Sequence, residues 1–181
     1  MSRLYLKFPG LEDKENVLEY KREFLASGQK MAGVGGLDRY DDYKDWLDKT
    51  NKNLHKENCG PGKVPATLYL SYRFEDNKLI GMLQIRHELN EALMQNGGHI
   101  GDSVRPSEQG KGYATEQISL ALEKCLEMGI DKVLITCKKE NIASAKTIIK
   151  NNGKLENEVF VDEEIVQRYW IDLSGKKTAN F

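Results

Sequence analysis

The stretch Val104–Thr115, V-R-P-S-E-Q-G-K-G-Y-A-T, constrains the fold more than any other part of the chain. A strand runs into it from His99, and a strongly amphipathic helix leaves it, with Ala114, Ile118, Ala121, Leu122, Cys125 and Leu126 at helical spacing. Pro106 pushes Arg105 out of helical space, so the strand must end before the helix begins. Gly110 and Gly112 let the backbone approach a ligand with no Cβ in the way. The first amides of a helix have no intrahelical partner and point outward. With the positive end of the helix dipole they make an anion site, to which Lys111 adds a charge. Neither G-x-x-x-x-G-K-[ST] nor G-x-G-x-x-G is present, which excludes a Walker loop and a dinucleotide fingerprint. The local chemistry leaves two readings open: a site for a phosphate-bearing ligand, or a glycine turn that binds nothing.

The flanking pattern predicts a mixed fold. Arg3–Phe8 reads as a strand, Glu12–Ser27 as a helix, and Asp38 as the N-cap of a second helix carrying Tyr40, Tyr43, Trp46, Leu47 and Leu54 on one stripe. Leu68, Leu70, Tyr72 and Phe74 alternate as in a half-buried strand, and Leu79–Arg86 runs back beside it. Leu89–Gln95 is a short helical excursion, and His99–Val104 is a third strand. After the helix that starts near Gly110 and stops at Gly129 come a buried strand, Lys132–Cys137, and a helix capped by Asn141. A hairpin of Leu155–Val161 and Ile165–Leu173 follows. Strands dominate the middle and end, so the fold class is α+β and not doubly wound. The spacing also predicts a crossover from the His99 strand to a parallel neighbour at Lys132–Cys137.

One domain over 1–181, with its core at 65–173 and a loose tail at 174–181, suits a chain of 181 residues that is 39% hydrophobic. The formal net charge of -1 gives no basic field for nucleic acid or anionic lipid. Cys59, Cys125 and Cys137 form no metal-ligand or disulfide pattern, so no metal is expected. No apolar run reaches the roughly 18 residues of a membrane span, and the N-terminus lacks a signal-peptide core, which makes a cytoplasmic setting the default.

Gln109-x-x-Gly112-x-Ala114 resembles the Q/R-x-x-G-x-G/A signature of the GNAT superfamily of N-acetyltransferases. The resemblance takes in the strand ending at Val104, the helix to Gly129, the strand Lys132–Cys137, the block Asn141–Lys146, and Lys150-Asn151-Asn152-Gly153. It implies a GNAT-like fold: a central, mixed, mostly antiparallel sheet with helices on both faces. It implies acetyl-CoA as co-substrate, its pyrophosphate held by the amides of Gly110, Lys111, Gly112, Tyr113, Ala114 and Thr115 beside Gln109. Ser103 and Val104 would pair with the pantetheine arm, and Asn141 and Ser144 would contact the cofactor. The implied reaction is direct acetyl transfer to a primary amine in a ternary complex.

Such an amine must first lose a proton. From a pKa of ~10.4, reaching the neutral form at pH 7 costs about 4–5 kcal/mol. The position aligned with the family's usual glutamate base is His99, which reads either as the base or as a histidine satisfying local backbone groups. Arg86 and His87 border the expected acceptor cleft; Arg86 reads as a carboxylate ligand or as an exposed strand arginine. Where many relatives carry a tyrosine acid this chain has Ile148, so either another hydroxyl, with Tyr169 a candidate, or water would serve as the acid. The acceptor is expected to be a small-molecule amine. A CoA-binding sensor without catalysis and a peptide or protein acetyltransferase are the alternatives. The resemblance also raises homodimerisation through Ile165–Leu173.

Overall fold

The computed structural model describes residues 2–176, so most of the tail expected at 174–181 lies outside the described residues. The chain forms β1 (Leu4–Lys7), α1 (Lys14–Ser27), α2 (Tyr43–Lys52), β2 (Ala66–Arg73), β3 (Leu79–Arg86) and a short α3 (Glu91–Gln95). It continues with β4 (Ile100–Val104), α4 (Tyr113–Glu127), β5 (Lys132–Lys138), α5 (Ile142–Lys150), β6 (Lys154–Val161) and β7 (Glu164–Asp172). This is the α+β order that the hydrophobic spacing predicts.

Two antiparallel sheets result, β1-β2-β3-β4 and β5-β7-β6. One core lies under α1 and α2, where Tyr20, Phe24 and Trp46 meet Leu68, Leu70 and Met82. The other lies under α4 and α5, where Ile118, Leu122 and Ile148 meet Leu83, Ile85, Val133 and Tyr169. Helices on both faces bury both sides of β2, so the half-buried strand expected there is buried from Ala66 to Tyr72. Phe74 falls beyond its end and is exposed.

Three expectations shift. The cap of α2 is Asp42, whose side chain accepts from the Lys44 and Asp45 amides, while Asp38 sits in a separate turn at Leu37–Arg39. Several aspartates precede α2, and a capping preference cannot choose among them. The helix expected near Gly110 starts at Tyr113, because Gly110 and Gly112 both take positive φ. β7 lies between β5 and β6 with both edges paired, so β5 and β6, and not Ile165–Leu173, are the edges of its sheet.

The predicted pairing of β4 with β5 reduces to one main-chain bond: the His99 amide donates to the Leu134 carbonyl at 2.7 Å. Past it, each strand belongs to its own sheet. Gly98, at φ +60°, makes the approach feasible, since a Cβ there would stand 2.4 Å from the Leu134 oxygen. We expect Gly98→Ala to lower Tm by about 4 °C or more, read by thermal unfolding, through positive-φ strain and the clash with β5.

Candidate active site

The loop between β4 and α4 is held from several sides. Arg105, 2% exposed, bonds Glu19 at 3.2 Å and faces Glu23 at 3.4 Å, tying the loop to α1. Gln109 folds back, its Nε2 donating to the Val104 carbonyl at 3.0 Å and to Gln29 at 2.9 Å. Buried Glu108 receives Arg73, Lys78 and Lys111 at 3.1, 2.9 and 2.9 Å. Burial would raise its pKa, but the hydrogen bonds from Lys78 and Lys111 and the Arg73 charge bring it down to about 2.

So anchored, the loop turns its amides outward. α4 has no side-chain cap. Among the described residues, none of the six amides from Gly110 to Thr115 finds an acceptor; the Glu116 amide, bonded to the Gly112 carbonyl, is the first that does. A run of unmatched amides at the positive end of a 15-residue helix is an anion site.

These amides open onto a cleft of about 380 Å³ lined by Ser103, Val104, Gln109, Gly110, Gly112, Tyr113, Ala114, Thr115, Asn141 and Ser144. Of the cofactor residues expected from the sequence, Lys111 alone is missing from the wall, because its ammonium turns to Glu108. Lys138 and Lys139 likewise pair with Glu164 and Glu158. Lys146 and Lys150, four residues apart on α5, do face the cleft, as does Thr147. Lys150 was not anticipated, although i, i+4 spacing beside Lys146 is a readable signal. The Asn141 side chain caps α5 by accepting from the Ser144 amide at 3.1 Å. Asp102 was also missed: burial raises its carboxyl to about 6, opposed by a 3.3 Å hydrogen bond from Gln117.

The catalytic candidates sit differently from expectation. The His99 ring, 7% exposed, lies in the junction of β4 and β5, and its Nδ1 accepts from the Leu134 amide at 2.9 Å. Burial, then the charge of Arg86, lowers its pKa to about 4. A neutral imidazole accepting at Nδ1 carries its proton on Nε2, so no lone pair remains for an amine proton. In this arrangement the ring accepts from local backbone, which is one of the two readings the sequence leaves open. Tyr169 is buried in the core under α4 and α5, and its hydroxyl donates to Gln167 at 2.8 Å. It lines neither cleft, so the candidate acid is not brought to the site.

A second cleft, of about 690 Å³, lies over β3, walled by the α1–α2 loop, Gln84 and Arg86. Gly33 of that loop packs on β4 so closely that a Cβ would meet the Gly101 oxygen at 2.0 Å. Arg86 faces this cleft and is no longer an exposed strand arginine; His87 turns away to Thr67, with Nε2 and Oγ1 2.7 Å apart. Tyr43 and Trp46 are buried core, and only Tyr40 of the aromatic stripe borders the cleft. Among the described residues, no group of three or more His, Cys, Asp or Glu side chains is placed to hold a metal, and no helix is long and apolar enough to cross a membrane.

A strand that leaves its neighbour beside a helix opening on free amides is a recurring arrangement, and the family model for the acetyltransferase (GNAT) domain matches residues 3–154. The chain belongs to the GNAT acetyltransferase family. By family it is an N-acetyltransferase. No functionally curated protein matches the sequence. Among solved structures, the ribosomal-protein α-N-acetyltransferase RimL, in complex with coenzyme A, is 17% identical over 97% of each chain, with a TM-score of 0.71. The microcin self-immunity acetyltransferase MccE, in complex with acetyl-CoA and AMP, is 16% identical over 94% of this chain and 92% of its own, with a TM-score of 0.70. A chimera of Vibrio cholerae spermidine N-acetyltransferase is 18% identical over 96% of this chain and 98% of its own, with a TM-score of 0.63. At these identities the likeness concerns the fold.

The Glu108 network gives a pH test. Its folded pKa, about 2, lies below the ordinary 4.5, so its contribution to stability is complete above pH 4.5 and is lost as pH falls toward 2. We expect Glu108→Gln to be less stable than the unaltered protein at pH 6, and the gap in Tm to narrow as pH drops through this window. A gap independent of pH would show that the carboxylate charge contributes nothing.

Proposed function

We propose that the protein transfers an acetyl group from acetyl-CoA to a primary amine of a small molecule, within a ternary complex. The observation that carries this reading is the run of amides from Gly110 to Thr115 without an acceptor among the described residues, in a loop that, apart from Lys111, lines a cleft with Lys146 and Lys150 on its rim. Their geometry suits a diphosphate, and the two lysines suit the further charge of a coenzyme A tail. Ser103 and Val104 would run beside the pantetheine arm, with Ser144 on the facing wall. Acetyl-CoA supplies an acetyl thioester, whose carbon takes the amine nitrogen as the C–S bond breaks.

The rest belongs to this chain's residues. The acceptor would enter by the second cleft, where Arg86 stands. His99 acts in this reading as a spacer: its ring occupies the point at which β4 and β5 separate and holds the Leu134 amide. The ammonium proton leaves to water through the open cleft before attack, and the second nitrogen proton goes to water or to the departing thiolate as the amide forms. Ser144 is a hydroxyl on the coenzyme side of the cleft, one turn into α5. Thiolate is a good leaving group, with a thiol pKa of ~8.5, so turnover does not require a tyrosine at Ile148.

Two measurements test this. Lys146→Glu combined with Lys150→Glu is expected to weaken acetyl-CoA binding by about tenfold or more in isothermal titration, through reversed charge at the cleft. Undiminished affinity would remove the lysines from the site. With a turned-over amine, kcat/KM should rise steadily with pH up to the amine's own pKa, without a break near 6.5. A break near 6 to 6.5 would instead show that a side-chain base takes the proton, and Asp102→Asn against His99→Gln would tell which. An enzyme that binds acetyl-CoA but releases no thiol with any amine or N-terminal peptide would be a sensor.

A further inference from the structure

We propose that the acceptor is an amine bearing an acidic group, and that Arg86 binds that group. The inference rests on the acetyl-transfer reading and names the substrate class of its second cleft.

Its basis is a pairing rule that one residue breaks. Four arginines of the chain are not fully exposed: Arg73, Arg86, Arg105 and Arg168. Arg73 bonds Asp76 and Glu108, Arg105 bonds Glu19 and Glu23, and Arg168 bonds Glu156. Arg86 has no carboxylate partner among the described residues. Burial is the sole influence on its pKa, and lowers it. Taking a guanidinium out of water without a counter-charge is costly, so a protein that holds one there gains from an anion arriving later.

The guanidinium is also oriented. Nη1 donates to the carbonyls of Gly97 and Gly98, both at 3.0 Å, which locks the plane against the start of β4. Nε and Nη2 have no partner among the described residues, and they are the edge that takes a carboxylate or phosphate in two parallel bonds. Gly97 and Gly98 immediately precede His99, so the anion would sit beside the junction of β4 and β5. The rest of the cleft agrees in sign. Arg39, Lys49 and Lys63 line it with Arg86, against Asp38 alone, and none of these five is in an ion pair among the described residues. A polyamine would meet repulsion there.

The test is isothermal titration of the coenzyme-A-loaded protein with matched amines: phenylalanine against phenethylamine, phosphoethanolamine against ethanolamine, and spermidine. The acidic member of at least one pair should bind about ten- to a hundredfold more tightly, the range of a charge-assisted pair of hydrogen bonds. Which pair shows the preference tells carboxylate from phosphate. Arg86→Gln should abolish the preference while coenzyme A affinity stays level. Should that variant not fold, Arg86→Lys keeps the charge without the fork and should reduce the preference. Equal binding within both pairs, tightest binding of spermidine, a preference that survives both substitutions, or no binding of any probe at millimolar concentration overturns the proposal. Loss of coenzyme A binding in the unaltered protein would instead strike the acetyl-transfer reading itself.

Discussion

The site exists because β4 and β5 touch once and then part. The His99 amide meets the Leu134 carbonyl, the Leu134 amide meets the His99 ring, and beyond that each strand follows its own sheet. Continuous pairing would have satisfied both backbones and closed the molecule. The interruption leaves strand edges and helix starts facing open space, where polar main-chain groups must find partners from outside. One cleft is built on Asp102–Val104 and the starts of α4 and α5, the other on β3 and the α1–α2 loop. Gly98 and Gly33 are both packed so tightly on neighbouring backbone that no side chain fits.

Charge does the positioning around that gap. Arg105 and Glu108 are nearly buried, and each is matched by more than one opposite group. Such pairs contribute little net stability once desolvation is counted, but they hold a loop in one place. Here the loop they hold is the one whose amides remain free. Other charges have no ion-pair partner among the described residues, among them Lys146 and Lys150 beside the first cleft and Arg86 in the second.

Much of this was legible in the sequence. The element order and the position of the glycine loop before α4 follow from hydrophobic period and from Gly110 and Gly112, because both signals are local. Asn141 was readable as a cap for the same reason. What escaped depends on contacts between distant segments. Lys111 looks like a phosphate ligand until Glu108 folds under it. His99 looks like a base until the Leu134 amide arrives from 35 residues away. Arg86 reads as a surface arginine until Gly97 and Gly98 close over one of its nitrogens. No pattern around Asp38 and Asp42 says which of the two caps α2, since that is decided by where the preceding loop docks.

We propose that free main-chain amides at one helix start grip the diphosphate of coenzyme A. Amide nitrogen-15 spectra recorded during a coenzyme A titration test it residue by residue. Large shifts are expected at Gly110 through Thr115, with pantetheine, which lacks the diphosphate, leaving them near their free positions. If those six resonances stay still while coenzyme A binds, the grip lies elsewhere and the account fails.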